Sequence, residues 1–377
     1  MREAHHGPNL GFRYLSISIA TLLGLVFATA QARAQAQSIP TSEVPFYSQW
    51  AASPHANQKA EAFHHWDKEG KVPVECARCH STPGFLDYLG ADGSAAGKVD
   101  QPAPTGTVLT CIACHNTKTL TLATVTFPSG VRVDNLGPDA RCMTCHQGVE
   151  SAASVDKAVE GLKADEVGPK LGFINVHYRA AGAMLLGGQT KAAYQYQGKS
   201  YRNASTHPAP YNHCLGCHTP HSTEVKATEC ANCHTQVKSA ADLKLIRFSK
   251  PDYDGNGNAT EGISQEVAHL EATLLTAIQA YAKQVGGKPI VYDIDTYPYF
   301  FTDTNGNGKV DSGEAAFPNR YAAWTPRLLK AAYNYQFAIK DPGAYAHNPA
   351  YVIEILEDSI NDLGTQVKLD AKGMVRP

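Results

Sequence analysis

The sequence predicts a mostly α-helical fold with much irregular chain, built in two parts of different construction. Three observations lead there. Ten cysteines fall into five copies of Cys-x-x-Cys-His, all between residues 76 and 234. Around these copies Gly, Pro, Ser and Thr interrupt the chain so often that few windows sustain a helical or strand period. From Asp242 onward there is no cysteine, and apolar residues return at the three- and four-residue intervals of amphipathic helices.

The copies are Cys76/Cys79/His80, Cys111/Cys114/His115, Cys142/Cys145/His146, Cys214/Cys217/His218 and Cys230/Cys233/His234. Each reads as a c-type haem attachment site: two thiols add to the porphyrin vinyl groups and the adjacent imidazole is held under the iron. A chain of this composition would show roughly 0.01 such motifs by chance. Zinc knuckles and thioredoxin-like redox pairs explain the cysteines but not a histidine after every second one. Disulfides would compete for the same thiols, since none is left over. Five covalently attached haem c groups are therefore expected. With so few periodic apolar segments around the motifs, stacked porphyrins would supply the core of this region. The motif starts are separated by 35, 31, 72 and 16 residues, so the last two haems must be close neighbours.

Residues 1–36 read as a secretory signal: Arg2 and Arg13 precede an apolar run from Leu15 to Ala30, and small residues at Ala30, Ala32 and Ala34 offer cleavage sites. The mature chain would begin near Gln35. The expected division is signal peptide 1–36, pentahaem region 37–241 and helical region 242–377. Export to the periplasm, the cell surface or the extracellular space agrees with the motifs, since covalent haem attachment takes place outside the cytoplasmic membrane. No cysteine precedes Cys76, which excludes a lipid anchor on cysteine, and no second long apolar run follows, so no transmembrane segment is expected in the mature chain. A formal charge of -2 gives no reason to expect nucleic acid as a partner.

In the second region Val267, Leu270, Leu274, Ile278, Tyr281 and Val285 share one helix face, and Gly286-Gly287 ends the run. Thr325-Pro326 and Asn348-Pro349 each set a capping residue before a first-turn proline. The helix after Asn348 would bury Val352, Leu356, Ile360 and Leu363. Two loops carry the EF-hand-like calcium pattern. Asp303, Asn305, Asn307, Lys309 through its carbonyl, Asp311 and Glu314 fit a twelve-residue loop with glycine at its sixth position. Asp252, Asp254, Asn256 and Asn258 begin a second loop, but Ile263 stands where its last carboxylate belongs, leaving Glu261 or Glu266 to swing in. One Ca2+ is expected firmly from the pattern and a second with altered geometry. Both read as structural sites.

Nine histidines remain once those of the signal and the motifs are removed: His55, His64, His65, His177, His207, His213, His221, His269 and His347. Five irons capped on both faces would need five of them. His221 is too close to His218 to reach around the same haem and would cap a neighbour. His177 and His207 lie in the long third gap, and His55 precedes the first motif, as do His64 and His65, which compete. His213 abuts Cys214, His269 falls on the polar side of its helix, and His347 reads as a ligand, a cap or a bridge to another subunit, a lone histidine being more often structural.

Phe173-Ile-Asn-Val-His177-Tyr178, Cys214-Leu-Gly-Cys217-His218-Thr-Pro-His221 and the calcium loop followed by Thr325-Pro-Arg-Leu-Leu together resemble secreted multihaem c-type cytochromes of bacteria and archaea. These are similar to outer-surface cytochromes used in extracellular electron transfer, some of which polymerise into filaments. The resemblance implies a haem-cored cytochrome region and bis-histidine ligation through His55, His65, His177, His207 and His221. It also implies redox-protein partners and the option of a homopolymer bridged by haem ligation. The function expected is electron relay between a periplasmic or surface donor and an external acceptor, with no catalytic residue. The alternative is a multihaem reductase or oxidase acting on nitrite, hydroxylamine or a sulfur oxyanion. It needs one iron with an open distal face, and no motif replaces its histidine with lysine.

Overall fold

The computed structural model describes residues 41–205, 207–247, 249–369 and 371–377. The expected signal lies outside them. Residues up to Trp50 belong to one unit and residues 51–377 form a second compact unit. Among the described residues no helix is long and apolar enough to cross a membrane.

In the second unit, after a 3-10 turn and one short helical turn, a hairpin pairs β1 (Lys71–Val72) with β2 (Ala103–Pro104) and encloses α1 (Val74–His80) and α2 (Thr82–Tyr88). Ser81 separates the two helices. Its hydroxyl donates to the Ala77 carbonyl at 2.9 Å and accepts from Gly84 N–H at 3.0 Å, which stops one helix and starts the next. A second hairpin pairs β3 (Val125–Thr126) with β4 (Arg132–Val133), followed by α3 (Ala152–Val159) and α4 (Ala181–Leu186). The last part holds α5 (Ile263–Gln284), the hairpin β5 (Ile290–Tyr292) and β6 (Phe300–Thr302), α6 (Pro326–Ile339) and α7 (Pro349–Gly364).

The expected caps form as read. Thr325 Oγ1 accepts from Leu328 N–H at 3.2 Å and Asn348 Oδ1 from Tyr351 N–H at 3.1 Å, each with proline in the first turn. Helix α5 buries Val267, Leu270, Leu274, Ile278 and Tyr281 as its period requires. Helix α7 departs from a single buried face: Glu354, Glu357 and Asp358 are buried with Val352, Leu356 and Ile360. The reason is that the C-terminal residues and the 199–202 segment cover its polar side. Arg376 and Lys199 reach Asp358 at 3.2 Å, and Arg202 N–H donates to Glu354 at 2.6 Å.

Helix α6 is central. Leu328, Leu329, Tyr333 and Phe337 are buried against α5 and α7, and Trp324, just before its cap, packs on Phe173 and Phe300 with ring centroids 5.6 and 5.4 Å away. Two buried amides of α6 bind chain from the haem-motif region. Asn334 pairs with both the N–H and the carbonyl of Tyr194, at 2.7 and 2.9 Å, and Gln336 Oε1 accepts from Val176 N–H at 2.9 Å. One apolar core therefore runs from Val125 to Val367, across the boundary expected at residues 241 and 242. The compositional shift there marks a change in what the chain carries, whereas the core is shared. Residues 125–194 also correct the expectation that the motif region lacks side chains of its own to bury: Phe127, Met143, Val155, Val176 and Met184 are all buried. The expectation fits better elsewhere. Around the first two motifs the buried clusters are three residues each, Val72 with Ala77 and Ala103, and Phe85 with Leu89 and Ala113.

Candidate multihaem site

Each motif closes a helical turn. His115, His146, His218 and His234 N–H groups donate to the carbonyls of Cys111, Cys142, Cys214 and Cys230, at 2.9, 2.9, 2.9 and 2.8 Å, and the first motif, with Cys76 and Cys79, lies within α1. Residues at i, i+3 and i+4 of a helix share one side, so this turn presents both thiols and the imidazole together.

No disulfide joins the ten cysteines, and protein atoms enclose them unequally. Cys111, Cys114 and Cys233 are exposed, whereas the others are half-buried. Cys233 lies in the arm of residues 207–247. The last short helix of that arm spans Ala227–Cys230, and Cys233 follows it in a turn, its N–H donating to the Cys230 carbonyl at 3.2 Å. Within residues 207–247 the buried apolar side chains are Ala227 and Val237.

Every motif imidazole faces a second imidazole supplied from elsewhere in the chain. Ring centroids are 5.7 Å apart for His80 and His177, 6.2 Å for His146 and His55, and 6.2 Å for His115 and His221. The remaining pairs are His234 with His207 at 6.4 Å and His218 with His347 at 6.5 Å. An imidazole nitrogen lies about 2 Å from a metal it binds, so two rings sharing one metal stand roughly 6 Å apart. Nε2 of His80 and of His177 point at each other across 3.4 Å. Backbone carbonyls hold Nδ1–H of three motif rings: Ala62 for His80 at 2.7 Å, Arg179 for His146 at 3.1 Å and Thr223 for His218 at 3.0 Å. That arrangement leaves Nε2 as the ligating atom. Burial, with the His146 ring beside it, lowers the pKa of His55 to about 4. Burial, with His80 and Lys340, does the same for His177. Neutral rings are what a metal requires. Vicinal thiols, an adjacent imidazole and a second imidazole at the bis-ligated separation fit haem c.

The distal rings are placed by different means. His177 follows Val176, which Gln336 anchors, and sits at φ 75° with its N–H on Asn175 Oδ1 at 3.0 Å. His55 lies in a short 3-10 turn, and its carbonyl accepts from Leu109 N–H at 3.1 Å. His347 closes a one-turn helix after α6, and its Nδ1 lies 2.7 Å from the buried Asp341 carboxylate. Burial works against the charged form of His347, yet the charge and hydrogen bond of Asp341 hold its pKa above the usual value.

His65 is not brought opposite a motif imidazole. Its Nδ1 is 2.6 Å from the exposed Glu61 carboxylate, its ring edges Trp66, and Trp66 in turn edges His80. His347 stands in the set where the resemblance put His65. The sequence carried a faint signal for it, a carboxylate six residues upstream, but a turn had to form before the two met. His213 caps its motif turn, accepting from Gly216 N–H at 3.1 Å.

The sulfurs also meet across motifs. Cys79 and Cys145 lie close enough to perturb each other's thiol, as do Cys142 and Cys214. Cys114 lies within electrostatic range of Cys142 and Cys145, and Cys217 of Cys230.

The two oxygen-rich loops have matching backbones. Asp303 accepts from Gly306 and Gly308 N–H at 2.7 and 2.8 Å, while Glu314 accepts from Thr304 and Asp311 N–H at 2.7 and 3.0 Å. Asn305 and Asn307 amides both donate to Asp311 at 2.7 Å. In the other loop Asp252 accepts from Gly255 and Gly257 N–H at 2.9 and 2.7 Å. Asn258 and Lys309 take the same place in the two loops, their N–H groups donating to Asn256 and Asn307 Oδ1 at 2.7 and 2.8 Å. Glu266, from the first turn of α5, accepts from Tyr253 and Asp254 N–H, the place Glu314 takes in its own loop. Glu266 is also bound by the Arg247 guanidinium. Glu261 instead accepts from the Asn256 amide at 2.7 Å, and its carboxylate, Asp254 and His269 form one group and Asp252, Asp254 and Glu266 another. These donors are mostly carboxylate and amide oxygens, the set that suits calcium.

Residues 61–147 match the family described as cytochrome c7 and related cytochrome c. The chain is 28% identical over 370 residues to the C-type polyheme cytochrome OmcB of Geobacter sulfurreducens, covering 80% of this chain and 45% of that protein. It is 28% identical over 371 residues to the C-type polyheme cytochrome OmcC of the same species, covering 79% and 44%. The chain thus spans less than half the length of these curated relatives. No solved structure matches it. Motifs, fold and relatives support a multihaem c-type cytochrome that binds haem c covalently.

Proposed function

We propose that this chain is a pentahaem electron conduit, relaying electrons through bis-histidine irons between a periplasmic or cell-surface donor and an external acceptor. The observation that carries the reading is the facing of every motif imidazole by a second ring at 5.7–6.5 Å. Iron held between two imidazoles has no open coordination position and exchanges one electron without binding substrate. The proposed axial pairs are His80–His177, His115–His221, His146–His55, His218–His347 and His234–His207. The chain's part is to hold these rings, exclude water from most of them and bring the porphyrin edges together.

The inter-motif sulfur contacts support a relay order. Each sulfur would sit on a porphyrin edge, so contacting sulfurs bring haem edges close. The first, third and fourth haems would be consecutive, the fifth would follow the fourth, and the second would branch from the third. In that order the first, second and fifth haems are the ends where electrons would enter or leave. Since all second rings come from the same chain, no cap from a neighbouring subunit is required. A homopolymer bridged by haem ligation is therefore not part of the reading. Export, other redox proteins as partners, and structural Ca2+ in the 303–314 loop and, with Glu266 in place of Ile263, in the 252 loop complete it.

Carbon monoxide tests the proposal on the reduced holoprotein. The expected result is no shift of the haem spectrum, because no iron is open. Binding of about one equivalent would point to an open haem and to the reductase alternative.

A further inference from the structure

We propose that Asp341 is a positioning residue for the fourth haem: its carboxylate orients His347 and biases the iron between His218 and His347 toward the ferric state. The inference rests on His347 being the second axial ligand of that iron.

Asp341 is 4% exposed and sits in the turn that leaves α6. One carboxylate oxygen accepts from Gly343 N–H at 3.2 Å, and the other lies 2.7 Å from His347 Nδ1. The carboxylate thus fixes both the turn and the ring. Gly343 leaves room for that packing, since a side-chain carbon there would stand 2.7 Å from the His347 ring. Lys340, the preceding residue, does not cancel the charge: its ammonium donates to the Ile294 carbonyl at 2.8 Å and lies over the Tyr178 and Tyr299 rings.

The contrast with the motif rings is chemical. Nδ1–H of His80, His146 and His218 donates to neutral backbone carbonyls. A buried carboxylate on Nδ1–H pushes electron density to Nε2 and stabilises the more highly charged iron, with little solvent screening. The fourth haem would then be a low-potential station between the third and the fifth. His146 lies within electrostatic range of both Asp341 and His347, so a smaller effect is expected on the third haem.

The test is a potentiometric titration of the Asp341→Asn holoprotein, resolved haem by haem by EPR or NMR. One haem is expected to shift about tenfold toward the ferrous form, about 59 mV for one electron, with the others moving less and the low-spin signals retained. Asp341→Glu, which keeps the charge, is expected to stay within about threefold of the unaltered protein. The proposal is overturned if no single potential rises in Asp341→Asn, if all rise alike, or if the Glu variant rises as far as the Asn variant. His347→Ala tests the underlying ligation separately. Loss of one bis-histidine low-spin signal supports it, and an unchanged low-spin spectrum removes it whatever the Asn variant does.

Discussion

Residues 263–364 and the arms that carry the outer haem motifs solve the burial problem by opposite means. The helical part packs Trp324, Tyr281, Tyr333, Phe300 and Phe337 into a continuous core and fixes its polar groups with paired amides. The arm from 52 to 120 has two clusters of three buried residues, and the buried apolar side chains of the 207–247 arm are Ala227 and Val237. A stretch of that length has too little apolar area to offset its conformational entropy. The difference teaches that attachment chemistry substitutes for sequence hydrophobicity: the arms are specified by cysteine and histidine spacing, and the helices by periodic apolar residues.

The comparison breaks most sharply on haem removal. Protein produced without haem attachment should show unprotected amides across 61–120 and 207–247 in hydrogen exchange, with protection persisting in α5–α7. Protection lost equally in all parts would remove the distinction. The converse perturbation is Trp324→Ala, expected to cost about 3–5 kcal/mol. Denaturant unfolding followed by far-ultraviolet circular dichroism would read that loss, while the haem count and the low-spin spectrum of the native state stay unchanged.

Calcium comes next in size. Saturation at about a hundred times the dissociation constant contributes about 2.7 kcal/mol. Chelation should therefore lower the melting temperature, and Asp303→Ala should lower it without calcium dependence from that loop. The smallest effect concerns Asp165, whose carboxyl the Arg327 guanidinium holds below its ordinary value through a 2.7 Å hydrogen bond, aided by Tyr281. A depressed carboxyl stabilises the fold above its unfolded pKa and loses that contribution as pH falls through the folded value. Asp165→Asn should flatten the acid limb of the stability curve below about pH 4 by under about 1 kcal/mol, the pair being partly exposed.

Much of this was legible in the sequence. The motifs, the helix caps at Thr325 and Asn348 and the buried stripe of α5 are local patterns, and local physics sets them. What was not legible depended on distant chain. The sequence left Glu261 and Glu266 open for the first calcium-type loop, and the choice depended on α5, whose first turn brings Glu266 back to Tyr253 N–H. The shared core stayed hidden because Asn334 and Gln336, polar residues in an apolar helix, are what bind it to Tyr194 and Val176. His347, and not His65, stands opposite a motif imidazole for a similar reason: an adjacent Glu61 captures one, and a turn built on Asp341 positions the other.

The most direct test of the central claim is low-temperature EPR with near-infrared magnetic circular dichroism on the oxidised holoprotein, after haem quantification. The account predicts five haems per chain, all low-spin with two imidazole ligands. A high-spin ferric signal approaching one haem equivalent, or a count below five, would contradict it.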